Sequence, residues 1–174
     1  MVTIATSKGN IKLKLFTDKA PKSVANFLKY TDDKFYDGTI FHRVIDGFMI
    51  QGGDPMTTDR SQLAMWGRGR GPRTLHQEFN DTPFTPGVLG AARGDDVNSA
   101  SCQFFIVTGQ AEHLNGQYTA FGRLATPESE GGGWGPADCL EGSWVTRTST
   151  TTSWEVVSGP CAAWLEEARA AVED

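Results

Sequence analysis

Short apolar runs closed off by glycine limit what this chain can fold into. They cover residues 39–44, 48–51, 88–91, 104–107 and 120–124, with Gly38, Gly47, Gly52, Gly53, Gly87, Gly90, Gly109 and Gly122 among or beside them. Runs of this length are too short for helices that bury a face, and they read as strands separated by tight corners. Ahead of them, Val2-Thr3-Ile4 and Ile11-Lys12-Leu13-Lys14-Leu15 both alternate around Ser7-Lys8-Gly9-Asn10, which predicts a β-hairpin. Pro21 suits a first helical position, and Val24, Phe27, Leu28 and Thr31 follow at helical spacing, so residues 21–31 are expected to form one helix. One early helix with many short strands points to a mainly β barrel or sandwich with helical covering.

Composition removes several functional classes. At 174 residues with 39% apolar residues, the chain supports one domain, 1–174, with its own core. A net charge of −5 argues against a general nucleic-acid or anionic-membrane binder. No apolar stretch is long enough to span a bilayer. The N-terminus runs straight into Met1-Val2-Thr3-Ile4 without a signal-like pattern, so a cytoplasmic location is expected. Cys102, Cys139 and Cys161 are scattered and odd in number, which favours free thiols, although Cys139 and Cys161 could pair. With His42, His76 and His113 they make no metal-binding pattern.

Residues 41–54, Phe-His-Arg-Val-Ile-Asp-Gly-Phe-Met-Ile-Gln-Gly-Gly-Asp, set Arg43 and Gln51 among large apolar side chains. Strand alternation puts Phe48 and Ile50 on one face and Met49 and Gln51 on the other. A fixed cation and an amide on an apolar surface suit binding, and the run holds no nucleophile–base pair. His42 is expected to be structural, satisfied by backbone, and Cys102 a small packed residue. Residues 54–86, with Pro55, Pro72, Pro83 and Pro86, read as a surface excursion. Within it, Gly67-Arg68-Gly69-Arg70-Gly71-Pro72-Arg73 lacks the helix and lysine of a phosphate loop and reads as a mobile basic loop. Any role for its arginines would be to meet acidic segments of a partner.

Several further pieces share one order and spacing: Gly87-Val88-Leu89-Gly90-Ala91-Ala92-Arg93, Gln103-Phe104-Phe105-Ile106, Leu114-Asn115-Gly116-Gln117-Tyr118 and Phe121-Gly122-Arg123. Together with 41–54 they make residues 2–124 resemble the cyclophilin-type peptidyl-prolyl cis–trans isomerases. The resemblance implies an eight-stranded antiparallel β-barrel capped by two helices, with the active groove on its outer face. It implies that Arg43 is the catalytic arginine and that Gln51 helps position the substrate peptide. Phe48, Met49, Phe105 and Leu114 would wall the proline pocket. Ala92 and Arg93 would offer backbone to the residue before proline, and Gln103 would join the substrate-binding set. His113 and Tyr118 stand where many eukaryotic members carry tryptophan and histidine, a bacterial-type pattern that implies at most weak cyclosporin binding. Of the adjacent Phe104 and Phe105, one should face the barrel and the other the groove.

The chemistry fits these residue types. Amide rotation is opposed by about 18–20 kcal/mol because the nitrogen lone pair is delocalised. X–Pro bonds populate both isomers yet exchange over roughly tens to hundreds of seconds. Twisting returns the lone pair to the proline nitrogen, to which an always protonated guanidinium can then donate. Such catalysis requires no cofactor. Proline-containing peptides and unfolded or flexible proteins are the implied partners, and a monomer is expected. A module that merely held proline segments would not need Arg43. After Leu124 the family pattern is lost, and residues 125–174 form an atypical segment. Ser153–Val157 is a candidate closing strand, and 160–172 an added amphipathic helix. The other reading is an altered end that leaves the barrel partly open at an edge.

Overall fold

The computed structural model describes residues 1–6, 9–125, 143–145, 153–154 and 156–158. The hairpin forms as expected. Strand β1 (Val2–Thr6) pairs antiparallel with β2 (Gly9–Leu15), Val2 opposite Leu13 and Thr6 opposite Gly9. Helix α1 (Pro21–Asp32) begins at the proline and buries Ser23, Val24, Phe27 and Tyr30. Its N-cap, Ala20, has no side chain with which to satisfy the first amides. Glu78, brought in from the long excursion, does this instead: its carboxylate accepts from Lys22 N at 3.0 Å and from Ser23 N and Oγ, each at 2.8 Å.

The remaining strands are β3 (Arg43–Ile45), β4 (Met49–Gly52), β5 (Val88–Ala91), β6 (Phe104–Val107) and β7 (Ala120–Leu124). Two further strands, β8 (Ser143–Val145) and β10 (Val156–Ser158), make a separate antiparallel pair. Between them in sequence, β9 (Ser153–Trp154) joins the main sheet. That sheet has eight strands in the order β3-β4-β6-β5-β7-β2-β1-β9. Seven are antiparallel, as the expected architecture requires, whereas β9 lies parallel to β1, Ala5 opposite Ser153. Part of the expected 153–157 strand thus falls beside β1. Among the described residues α1 is the one α-helix. The expected second capping helix, the helix expected over 160–172 and the possible Cys139–Cys161 pairing all fall outside the described residues.

The sheet curls. Ile4 and Leu13 from one end and Ile50, Phe104 and Ile106 from the other belong to a single buried cluster with Val24 and Phe27 of α1. Phe27 touches the rings of Tyr36, Phe104 and Phe121 at centroid distances of 5.4 Å each. Cys102 packs in this core as a free thiol whose pKa burial pushes up to about 11. A second apolar cluster lies on the outer side of the same strands. It contains Met49, Phe84, Val88, Phe105, Val107, Ala111, Leu114 and Ala120. Phe104 therefore faces the interior and Phe105 the outside, as strand alternation requires. No helix among the described residues is long and apolar enough to cross a membrane.

Candidate active site

Strand register builds the outer face in rows. Arg43 pairs with Gln51, Gln51 with Phe105, and Phe105 with Gly90, so the four lie side by side across β3, β4, β6 and β5. The next row on that face contains Ile45, Met49 and Val107. A cation, an amide and an aromatic ring are thus held in line by backbone pairing. That arrangement is more precise than loops alone supply.

Phe105 forms the floor, 5% exposed. Its ring stacks on Phe84 at 5.7 Å and meets Tyr118 edge-on at 5.8 Å. Buried Met49 and Leu114 pack in the same cluster, and Phe48, Ala92 and Tyr118 lie against it. Phe48 departs from the expected alternation. The strand starts one residue later, at Met49, while Phe48 N donates to Ile45 O in the preceding turn. Its ring therefore falls on the Met49 side, 5.1 Å from the ring of exposed His113, and shares no face with Ile50.

The polar rim is a chain of amides. Arg43 Nη1 donates to Gln51 Oε1 at 3.3 Å, and Gln51 Nε2 donates to Gln103 Oε1 at 2.8 Å. Gln103 Nε2 in turn donates to the carbonyls of Gly67 and Gly69, at 3.1 and 2.7 Å. From the other side Asp54, fully buried, accepts from the amides of Met56, Gly67 and Gly69. The glycine–arginine string expected to be a mobile loop is therefore fastened from two sides. Its glycines are required by contact: a Cβ on Gly69 would fall 1.9 Å from Asp54 Oδ1, and one on Gly71 2.0 Å from the Tyr30 hydroxyl.

His42 lies beneath this loop, its ring 3.8 Å from where a Gly67 Cβ would be. Contrary to the backbone-satisfied histidine expected, neither ring nitrogen has a hydrogen-bond partner among the described residues. Burial lowers its pKa. Asp54, the Ile40 backbone and Gln103 oppose the shift without reaching hydrogen-bond geometry, and Arg43 reinforces it.

Ala92 and Arg93 differ in what they leave open. Ala92 N donates to Gln103 O at 3.0 Å, whereas the N–H and C=O of Arg93 have no hydrogen bond among the described residues. The Arg93 side chain is occupied as a brace. It donates to the carbonyls of Gln117, Gly94 and Asp95, and its guanidinium lies 4.4 Å from the Tyr118 ring centroid. Sequence reasoning did not single out Asp54, Gly90 or Phe84 as parts of this site. Gly90 carried a signal, since a glycine inside an apolar strand marks a close approach.

The model of the cyclophilin type peptidyl-prolyl cis-trans isomerase family matches residues 1–129. The chain belongs to this family. As a cyclophilin it is an isomerase of X–Pro peptide bonds, in line with the names of its relatives. A peptidyl-prolyl cis-trans isomerase of Arabidopsis thaliana is 42% identical over 125 residues, covering 71% of this chain and 74% of the plant protein. One from Synechococcus elongatus is 42% identical over 126 residues, 72% of this chain and 81% of its own length. Among solved structures, a Cryptosporidium parvum cyclophilin crystallised in the presence of the dipeptide Ala-Pro has a TM-score of 0.66 at 29% identity. That match covers 90% of this chain and 97% of the other.

Proposed function

We propose that this cyclophilin isomerises X–Pro bonds in flexible or unfolded proteins through the outer-face groove, with Arg43 as the catalytic donor. The cross-strand row Arg43–Gln51–Phe105 carries this reading. The proline ring rests on Phe105 between Met49, Leu114 and Phe48, and the residue before it pairs with the open Arg93 backbone beside Ala92. With Gln51 accepting from Nη1, the guanidinium keeps other N–H groups to donate to the proline nitrogen as it pyramidalises. Gln103 holds Gln51, and His113 and Tyr118 edge the groove. The donor acts only on the twisted state, so it lowers the barrier without tightening ground-state binding.

The free buried thiol of Cys102 fits work in the reducing cytoplasm. We infer a monomer acting there on protein folding, with weak affinity at most for cyclosporin, because His113 presents a smaller ring beside Phe48 than tryptophan would.

The test is isomerisation of a short Ala-Pro peptide by the native chain and Arg43→Ala. Arg43 is exposed, so the variant should fold normally. Its kcat/KM should fall by about 100-fold with KM little changed, the scale of losing one preorganised donor. Native-like turnover by the variant would remove Arg43 from the mechanism.

A further inference from the structure

We propose that Arg70 makes this enzyme prefer an acidic side chain two residues before the proline. This rests on the groove assignment above and extends it to sequence selectivity. The backbone on both sides of Arg70 is fixed. Gly69 N donates to Asp54 and Gly69 O accepts from Gln103, while Gly71 N donates to Ser101 Oγ at 3.0 Å. Gly69 is buried, and neither it nor Gly71 has room for a Cβ. The arginine between them is exposed and in no ion pair among the described residues. Its Nη2 lies 3.5 Å from where a Cβ on Gly94 would be. The fixed backbone sets the point from which this cationic side chain projects.

Gly94 places that cation relative to substrate. It directly follows Arg93, whose open N–H and C=O receive the extended peptide, so a peptide running N-terminally from the proline comes alongside Gly94 and the Arg70 guanidinium packed next to it. Gly94 N is itself taken by Ser99 Oγ at 2.9 Å, so recognition at this point falls to side chains. Two carboxylates lie nearby in sequence. Asp96 is engaged with Asn98 N, and Asp95 is exposed and forms no ion pair with Arg70. A glutamate or aspartate entering beside Gly94 therefore meets an unneutralised cation.

The experiment uses Xaa-Ala-Pro-Phe peptides with glutamate, glutamine or lysine at Xaa. Turnover is measured by isomerisation kinetics and affinity by calorimetric titration. For the native chain, kcat/KM should favour glutamate over glutamine by about two- to five-fold, the range for an exposed ion pair, and disfavour lysine. The ratio should shrink at 0.5 M salt. Arg70→Gln should bring it to about one and Arg70→Glu should invert it. Arg68→Gln, the same charge change one residue from Gly69 on the other side, should leave it in place. An unbiased native ratio, or a bias that survives Arg70→Gln, overturns the proposal. Affinity separates the two readings: a charge bias in binding without any turnover overturns the catalytic role of the groove and leaves Arg70 as its charge reader, and turnover without bias overturns the Arg70 assignment alone.

Discussion

Gly90 lies directly beneath the ring of Phe105: a Cβ added there would come within 2.3 Å of Phe105 Cζ and 2.7 Å of both Cε atoms. The ring can lie against the sheet only because the neighbouring strand offers bare backbone at that point. Gly90→Ala should tilt Phe105 away from Phe84 and spoil the proposed proline floor. We expect KM for an Ala-Pro peptide to rise at least several-fold, with stability lowered by about 1–3 kcal/mol from overpacking. Unchanged KM alongside a native-like Phe105 ring spectrum by NMR would contradict this.

Asp54 and Gln103 hold the 67–71 loop from opposite sides, one accepting its amides and the other donating to its carbonyls. Asp54→Asn keeps the volume but turns an amide donor toward the donors of Gly67 and Gly69. Stranding the buried Gly69 amide, and the part-buried Gly67 amide beside it, should cost about 1–3 kcal/mol. Amide exchange at Gly67 and Gly69 should accelerate well beyond the global change, and kcat should fall because Gln103, and through it Gln51, loses its anchor. Exchange at these two glycines that tracks global stability would show that the loop is held by something else.

Glu78 caps α1 from 55 residues away in sequence. Glu78→Ala should cost about 0.5–2 kcal/mol, the usual range for a lost N-cap, while leaving kcat/KM at its native value. Chemical denaturation and the peptide assay together decide it. A large loss of activity without loss of stability would mean that the helix end communicates with the groove.

His42 makes stability depend on pH. Its folded-state pKa lies below the ordinary value of 6.5, mainly through burial. The unfolded chain therefore binds the proton first as pH falls. The contribution of neutral His42 is fully present above about pH 6.5 and is lost progressively below it, down through the depressed folded pKa. His42→Gln should flatten the fall in melting temperature between about pH 6.5 and 5, although carboxylates will still steepen it at lower pH. An identical pH profile for variant and native protein would refute the assignment.

Local patterns were legible in proportion to how local their causes are. Strands β5, β6 and β7 occupy 88–91, 104–107 and 120–124 residue for residue, because two-residue alternation and glycine boundaries determine them. In place of the expected 39–44 run the strand spans Arg43–Ile45, starting four residues later and ending one residue later, since Thr39 is fully buried with its hydroxyl donating to Tyr36 O, and Ile40 N donates to Thr57 Oγ1. These contacts satisfy the backbone without a ladder. The row Arg43–Gln51–Phe105 was reached through resemblance, whereas Asp54 and the fastened loop were not reached at all. Their partners lie 13 to 36 residues apart in sequence, and a glycine–arginine string looks the same whether or not a buried carboxylate waits beneath it.

Placing the proposed catalytic row on the outer side of a curled sheet whose interior is already filled has a topological consequence. A polypeptide can be laid across Phe105 sideways and lifted off the same way, with neither of its ends passing through any opening. An X–Pro bond deep within a long, partly folded chain is then handled on the same terms as one near a terminus. The length of a client sets no limit on which of its prolines this surface can turn.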